Sequence, residues 1–192
     1  MVQDVSRSYA GTRKVMIFID GQYLRNGLKE ILGTDAINYD NFVDELLTFA
    51  GDPNLLPELI RVYYYDAIPK KEDETEKYDK QVIYLRKILA NADFDIKLGR
   101  MKKLTNGTFR QKGVDVQIAI DMISKAYLNH YDIAILVGGD DDFLDVVTAV
   151  KDAGKRIVGA FFNKSVSSSL ANTFDSVAVL EEDLALENFK GS

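Results

Sequence analysis

The segment V15-M-I-F-I-D-G-Q-Y-L24 decides the fold assignment. Its five apolar residues, 15–19, are typical of a strand that is buried on both faces, and the run stops at Asp20-Gly21. A helix-like pattern follows from about residue 23. Because a carboxylate is costly to bury, we expect Asp20 at the tip of the strand and outside the core.

Short apolar runs alternate with helical patterns along the rest of the chain. Strands are predicted near residues 15–19, 60–65, 94–98, 133–137, 156–161 and 177–180. Helices are predicted near residues 23–31, 39–50, 75–90, 115–128, 142–153 and 165–172. This alternation is typical of parallel βαβ units, so the sequence predicts one doubly wound α/β domain. Residues 105–107 predict a turn, either a hairpin tip or a mobile loop.

The chain of 192 residues is long enough for one well-buried domain, and no repeat or linker divides it. The expected limits are a flexible tail at 1–12, a domain at 13–186 and a C-terminal tail at 187–192.

Composition excludes several classes of site. The absence of cysteine excludes disulfides and thiolate metal sites, and the single histidine, His130, argues against His-rich metal sites and Ser-His-Asp catalysis. Acid–base or metal chemistry must therefore use carboxylates. No apolar run approaches the roughly 18 residues of a membrane span, and the N-terminus lacks the apolar core of a signal peptide. We expect a cytoplasmic protein without membrane contact.

Charge is distributed unevenly along a chain whose net charge is −6. Residues 97–112 contain basic residues and no acid: Lys97, Arg100, Lys102, Lys103, Arg110 and Lys112. Acidic residues follow directly. This order favours an anionic polymer held near an acidic site, although a solvated basic loop explains the charges equally well.

Four aspartates stand at predicted element ends. Asp20 ends the first strand, Asp140 follows the strand at 133–137, Asp142 comes two residues later, and Asp115 precedes a helix. Each alone could be a helix N-cap. Ligands of open parallel sheets bind at the carboxyl ends of the strands, where these side chains would gather. Oxygen-only ligands suit Mg²⁺ or Mn²⁺, which can drive phosphodiester cleavage.

Several residues form a second group of candidates. Asp66 ends the second predicted strand and could reach the same edge. Asp121 could support the site or pair with Lys125 four residues later. Tyr23 and Tyr65 could stack on a base, although core packing is the commoner role for such tyrosines.

Four stretches carry a family resemblance. In chain order they are V15-M-I-F-I-D-G-Q-Y-L24, R61-V-Y-Y-Y-D-A67, K112-G-V-D-V-Q-I-A-I-D-M122 and L136-V-G-G-D-D-D-F143. Together they resemble the NYN domain, in the LabA-like (DUF88) branch of the PIN-like nuclease superfamily, over residues 13–181. The resemblance implies a single three-layer, Rossmann-like (PIN-like) α/β domain with a mainly parallel central sheet.

The resemblance also implies a metal-dependent ribonuclease. The catalytic and metal-binding acids of the family fall on Asp20, Asp115, Asp140 and Asp142. We expect Mg²⁺ or Mn²⁺ as cofactor, and RNA as partner. The RNA backbone would contact Lys102, Lys103, Arg110 and Lys112.

The sequence departs from the family pattern at two positions. Gly138 stands where the family often has serine or threonine. Tyr23 stands where an asparagine is common, and its side chain cannot replace the donor and acceptor of an amide. Gln22 and Asn26 are the available substitutes, although Gln22 is expected to point elsewhere if the helix has already begun.

The leading hypothesis is therefore an Mg²⁺- or Mn²⁺-dependent endoribonuclease. A non-catalytic RNA-binding or regulatory domain is the first alternative, and a small-molecule phosphohydrolase is the second. A homodimer is also expected, because one isolated domain offers a single shallow groove.

Overall fold

The computed structural model of the chain describes residues 11–51, 54–91, 93–103, 109–184 and 186–189. Its strands are β1 (Gly11–Asp20), β2 (Leu55–Ile68), β3 (Phe94–Lys103), β4 (Phe109–Lys112), β5 (Ile133–Val137), β6 (Arg156–Phe161) and β7 (Ser176–Val179). Its α-helices are α1 (Gly21–Leu32), α2 (Tyr39–Phe49), α3 (Thr75–Leu89), α4 (Val114–Tyr127), α5 (Leu144–Asp152), α6 (Ser168–Ala171) and α7 (Leu180–Asp183). Short 3-10 helices cover Asp141–Phe143, Asn163–Ser165 and Leu186–Phe189.

The strands form one sheet in the order β4-β3-β2-β1-β5-β6-β7. All neighbouring pairs are parallel except β3 and β4, which form an antiparallel pair at one edge. Helices cover both faces of the sheet, so the expectation of an α/β domain with a mainly parallel sheet is confirmed.

Strand β1 lies inside the sheet and supplies both halves of the core. Its residues 15–19 are all buried. Val15, Ile17 and Ile19 pack with side chains of α1, α2 and α3 on one face. Met16 and Phe18 pack with side chains of α4 and α5 on the other. Successive side chains of a strand point to opposite faces, which explains why the whole run is apolar.

The chain changes direction across the sheet beside β1. From β1 it builds outward through β2, β3 and β4, and it then crosses to β5 on the opposite side of β1. Residues Ile19 and Val137 are paired in register, so the ends of β1 and β5 lie side by side. This is a topological switch point, where parallel sheets open a crevice for ligands.

Some predicted boundaries were wrong. The helix predicted at 142–153 is divided into the 3-10 turn Asp141–Phe143 and α5, because the Asp140 carboxylate caps the turn. The helix predicted at 165–172 is reduced to α6 after a second 3-10 turn. The predicted turn at 105–107 lies outside the described residues.

Both ends of the folded part extend beyond the expected domain limits. Strand β1 already includes residues 11 and 12, which pair with β2. At the other end, the Phe189 ring packs edge-on against Phe42, 6.2 Å between centroids. Within the described ranges, no helix combines the length and apolar character needed to cross a membrane.

A buried ion pair ties α1 to β2 and α3. The Arg25 guanidinium donates to both carboxylate oxygens of Asp66, and Gln81 of α3 donates to the same carboxylate. The Asp66 side chain is only 1% exposed and that of Arg25 is 13% exposed. These bonds compensate the cost of burying the carboxylate.

We expect Asp66→Asn to lower the free energy of unfolding by about 3 kcal/mol, because it leaves the Arg25 charge buried without its counter-charge. Urea denaturation monitored by circular dichroism measures the change. Asp95→Asn is the control, because Asp95 forms only an exposed pair with Arg61 at 3.7 Å, and such pairs contribute little. Equal losses in the two variants would contradict a stabilising role for the Arg25–Asp66 pair.

Candidate active site

A cavity of about 470 Å³ opens at the carboxyl end of the sheet, beside the switch point. Three of the four predicted aspartates line it. Its lining comprises Asp20, Gln22, Tyr23, Asn26, Gln111, Asp115, Gly139, Asp140 and Ser165. These residues come from the end of β1, from α1, from β4, from the start of α4 and from the loops after β5 and β6.

Asp20 is the last residue of β1 and the N-cap of α1. Its carboxylate accepts a hydrogen bond from the Tyr23 backbone N–H at 3.0 Å. Burial nonetheless raises its pKa to about 6, and the negative charges of Asp115 and Asp66 add to the rise. Ionised Asp20 is therefore electrostatically unfavourable in the free protein, and a bound cation would relieve this.

Asp115 reaches the cavity through the turn between β4 and α4. Gly113 has φ 85°, a left-handed conformation that glycine adopts without strain, and it turns the chain directly into α4. Asp115 then falls in the first turn of that helix, where the helix dipole favours a negative charge. The order Lys-Gly-Val-Asp thus places this aspartate in the lining of the same cavity as Asp20.

The three aspartates after β5, residues 140–142, make different contacts. Asp140 lines the cavity, and its carboxylate accepts the backbone N–H of Asp142 at 3.1 Å. The Asp141 carboxylate accepts a hydrogen bond from Ser167. The exposed Asp142 side chain is not part of the cavity lining.

The donor set of this cavity fits a hard divalent cation. Its carboxylates and amide carbonyls supply only oxygen, the donor that Mg²⁺ and Mn²⁺ prefer. Within the described ranges, no three acidic, histidine or cysteine side chains are close enough together to hold one metal ion. Mg²⁺ usually needs only one or two carboxylates beside water and phosphate, and Asp20, Asp115 and Asp140 are the carboxylates that line this cavity.

Tyr23 is a structural anchor in the cavity wall. Its hydroxyl accepts hydrogen bonds from the Phe162 backbone N–H and from Ser165 Oγ, both at 2.9 Å. The rings of Tyr23 and Phe162 are in contact, with centroids 5.7 Å apart. Gly139 allows this approach, since a Cβ there would lie 2.2 Å from the Ser165 carbonyl oxygen and 2.8 Å from the Tyr23 hydroxyl. Tyr23 thereby fixes the loop after β6 against α1.

Two other side chains of α1 carry the amide group that position 23 lacks. Gln22 and Asn26, one helical turn apart, both line the cavity. The expectation that Gln22 points elsewhere was wrong, because α1 begins at Gly21 and still directs this side chain to the crevice. Gln111 and Ser165 also line the cavity and were not identified from sequence. In the sequence, the position of Gln111 beside Lys112-Gly113 was a weak indication of a site residue, and nothing indicated Ser165.

The second group of candidates has structural roles. Asp66 is held by Arg25 and lines a neighbouring cleft. Asp121 accepts hydrogen bonds from Tyr65 at 2.8 Å and from Lys125 at 2.6 Å. Burial opposes its ionisation, but these bonds outweigh burial and lower its pKa. Tyr65 is fully buried and cannot stack on a base, so core packing is its role.

The basic segment forms the edge hairpin β3–β4. Lys102 pairs in register with Arg110, and Arg100 pairs with Lys112. Lys103 pairs with Phe109. The Lys112 side chain is exposed, one residue before the turn that leads to Asp115. The strands therefore bring the predicted RNA-binding positions to the edge next to the cavity.

We expect Asp20→Asn to stabilise the metal-free protein at pH 8. Because the folded-state pKa is above the unfolded value, the native state holds the extra proton between about pH 4 and 6, and wild-type stability falls as pH rises through that window. Asparagine removes this penalty and keeps the N-cap. The expected gain is about 1–2 kcal/mol at pH 8, which disappears near pH 4.

Urea denaturation in EDTA at several pH values measures this gain. Asp145→Asn is the control, since Asp145 is exposed on α5 and its substitution should leave the pH dependence unchanged. A stability difference between Asp20→Asn and wild type that does not change with pH would contradict the claim that ionised Asp20 destabilises the folded protein.

We expect Tyr23→Phe to destabilise the fold by about 1–2 kcal/mol, because it leaves the Phe162 N–H without its acceptor. The shift in urea midpoint measures this cost. Tyr127→Phe, at a side chain that is 68% exposed, should have no effect. If the two variants unfold at the same urea concentration, Tyr23 is not an anchor.

Comparison with known proteins agrees with this architecture. A protein of unknown function from Vibrio parahaemolyticus has a similar structure, with a TM-score of 0.67 and 21% identity over 90% of this chain and 95% of that chain. This likeness supports the fold. A provisionally assigned UDP-N-acetylglucosamine 2-epimerase from Listeria monocytogenes matches less well, with a TM-score of 0.41 and 11% identity over 92% of this chain and 42% of that chain.

No curated protein matches the chain. The family model of the NYN domain matches residues 14–181, which include Asp20, Asp115 and Asp140. NYN domains are generally nucleases, and the family is linked to RNA-related functions. Since the match spans most of its residues, this chain belongs to the NYN domain family.

Proposed function

We propose that this protein is a metal-dependent endoribonuclease of the LabA-like branch that hydrolyses phosphodiester bonds of RNA. The observation that carries the proposal is the lining of one cavity by Asp20, Asp115 and Asp140 at the switch point of an NYN domain. Ligands of open parallel sheets bind at such a switch point, and a bound cation would offset the repulsion between these aspartates and a phosphate.

Each lining residue has a task that follows from its surroundings. Asp20 and Asp115 would hold Mg²⁺ or Mn²⁺, because their two negative charges repel each other in the metal-free protein. Asp140, which also lines the cavity, would orient the attacking water. Gln22 and Asn26 would hold a phosphate or ribose oxygen through their amide N–H groups, the task that an amide at position 23 would otherwise perform.

When bound, the metal ion activates water and neutralises charge on the phosphate. Asp142 was expected to be a fourth metal ligand, but its side chain does not line the cavity. Its backbone N–H fixes the Asp140 carboxylate, and we propose that this is its main contribution. The basic hairpin positions Lys102, Lys103, Arg110 and Lys112 would hold the RNA backbone.

A non-catalytic RNA-binding domain is the second candidate. One observation favours it: the Tyr23 hydroxyl is bonded to Phe162 and Ser165, so it cannot take the place of the family amide. RNA binding without turnover in Mg²⁺ or Mn²⁺ would support this candidate. Turnover of nucleotides or sugar phosphates, but not RNA, would support a phosphohydrolase.

We expect Asp20→Asn and Asp115→Asn to reduce RNA cleavage roughly 100-fold or more, because each removes a charged ligand from a metal that contributes several kcal/mol to the transition state. Asp142→Asn should have a smaller effect, because asparagine keeps the backbone N–H. Cleavage of end-labelled single-stranded RNA in Mn²⁺, resolved on a gel, measures the rates.

Asp145→Asn is the matched control, since it makes the same chemical change at an exposed position of α5. Thermal unfolding of every variant separates lost chemistry from lost structure. Wild-type cleavage rates in both Asp20→Asn and Asp115→Asn would overturn the assignment.

A further inference from the structure

A second cleft of about 580 Å³ adjoins the acidic cavity. The two share Gln22 of α1 and Gln111 of β4, which stand at the passage between them. The lining of the second cleft comprises Gln22, Arg25, Asp66, Ala67, Pro69, Glu74, Lys77, Lys80, Gln81, Met101 and Gln111. Met101 and Gln111 are paired in register, so the β3–β4 hairpin forms a wall common to both spaces.

The floor of this cleft is rigid and internally neutral. Asp66 accepts hydrogen bonds from Arg25 and Gln81, and the Arg25 guanidinium lies 5.5 Å from the centre of the Tyr84 ring. Because the Arg25 and Asp66 charges compensate each other, the floor presents no net charge to a ligand. Its apolar lining residues are Ala67, Pro69 and Met101, of which Ala67 and Pro69 are buried and Met101 is partly exposed.

Two exposed lysines stand at the outer rim of the cleft, each paired with a glutamate. Lys77 and Lys80 lie three residues apart on α3, with side chains 72% and 75% exposed. They pair with Glu74 at 2.5 Å and with Glu76 at 2.6 Å. Exposed pairs of this kind contribute little, so both ammonium groups can exchange their partners for a phosphate at small cost.

We propose that this cleft binds the nucleotide that flanks the cleaved phosphodiester of a single-stranded RNA. The phosphate of that nucleotide contacts Lys77 and Lys80, and its base lies against Met101. The strand then passes Gln22 and Gln111 into the acidic cavity. This subsite rests on the proposed function, because it assumes that RNA occupies the acidic cavity.

Charge explains why such a subsite is needed. Three aspartates line the first cavity, so a phosphate there is repelled until a cation is bound. The second cleft has three basic and two acidic side chains in its lining, and can hold the strand before the metal-dependent step.

The double variant Lys77→Ala/Lys80→Ala tests the subsite by fluorescence anisotropy with a labelled RNA octamer. The titration is done in EDTA, which prevents metal-dependent cleavage. We expect about tenfold weaker binding at low salt. The slope of log affinity against log salt should fall by roughly 1.4, because each neutralised phosphate of a single strand contributes about 0.7.

The matched control is Arg86→Ala/Lys87→Ala. It removes the same charge from exposed residues of the same helix, outside the cleft lining. Unchanged binding in this control supports the subsite. Equal losses in both double variants would overturn it, because the effect would then be general electrostatic attraction.

A labelled mononucleotide provides the second comparison. Binding as tight as that of the octamer, with the same loss in Lys77→Ala/Lys80→Ala, would overturn the RNA subsite in favour of a small phosphate ligand. Failure of the proposed RNA cleavage gives a different result from failure of the subsite. Asp20→Asn would then cleave RNA at the wild-type rate, while the lysine-dependent loss of octamer binding would persist and support the cleft as an RNA site.

Discussion

Parallel pairing on both sides of β1 is the constraint on which the rest of the structure depends. The strand is hydrogen-bonded to β2 on one side and to β5 on the other, and residues 15–19, directly before its last residue, are buried by helices on both faces. A strand so enclosed can expose a polar side chain only at its end. Asp20 is that end residue, and the end of β5 lies beside it. The acidic cavity is a consequence of this topology.

The cavity combines a rigid wall with an electrostatic strain. Tyr23 ties α1 to the loop after β6, and Gly139 provides the space for this contact. Against that fixed wall, burial and neighbouring charges raise the pKa of Asp20. A site that is rigid and costly to ionise gains the most from a cation, since binding requires little rearrangement of the protein. Tyr23, one of the two residues that depart from the family pattern, is thus part of the support of the site.

Much of the fold could be predicted because its signals are local. The predicted bounds of β5 and β6 coincide with the observed strands, since each is a short apolar run between turns. Asp20, Asp115 and Asp140 were identified because each follows or precedes such an element. Asp140 and Asp142 looked equivalent in sequence. They differ in the structure because a capping turn directs one carboxylate to the cavity.

The remaining features depend on contacts between distant residues. Ser165 donates a hydrogen bond to the Tyr23 hydroxyl in the cavity wall, 142 residues away in the chain. Gln111 reaches both clefts because the β3–β4 hairpin folds along the sheet edge. Asp66 resembled a site residue, yet its carboxylate is bound by Arg25 and Gln81. No local pattern in the sequence carries these pairings.

The most direct test of the central claim is a crystal of the protein soaked in Mn²⁺ and measured at a wavelength where manganese scatters anomalously. The account predicts an anomalous peak in the acidic cavity, in contact with the carboxylates of Asp20 and Asp115. A cavity without such a peak in crystals whose Mn²⁺ is bound elsewhere would contradict it.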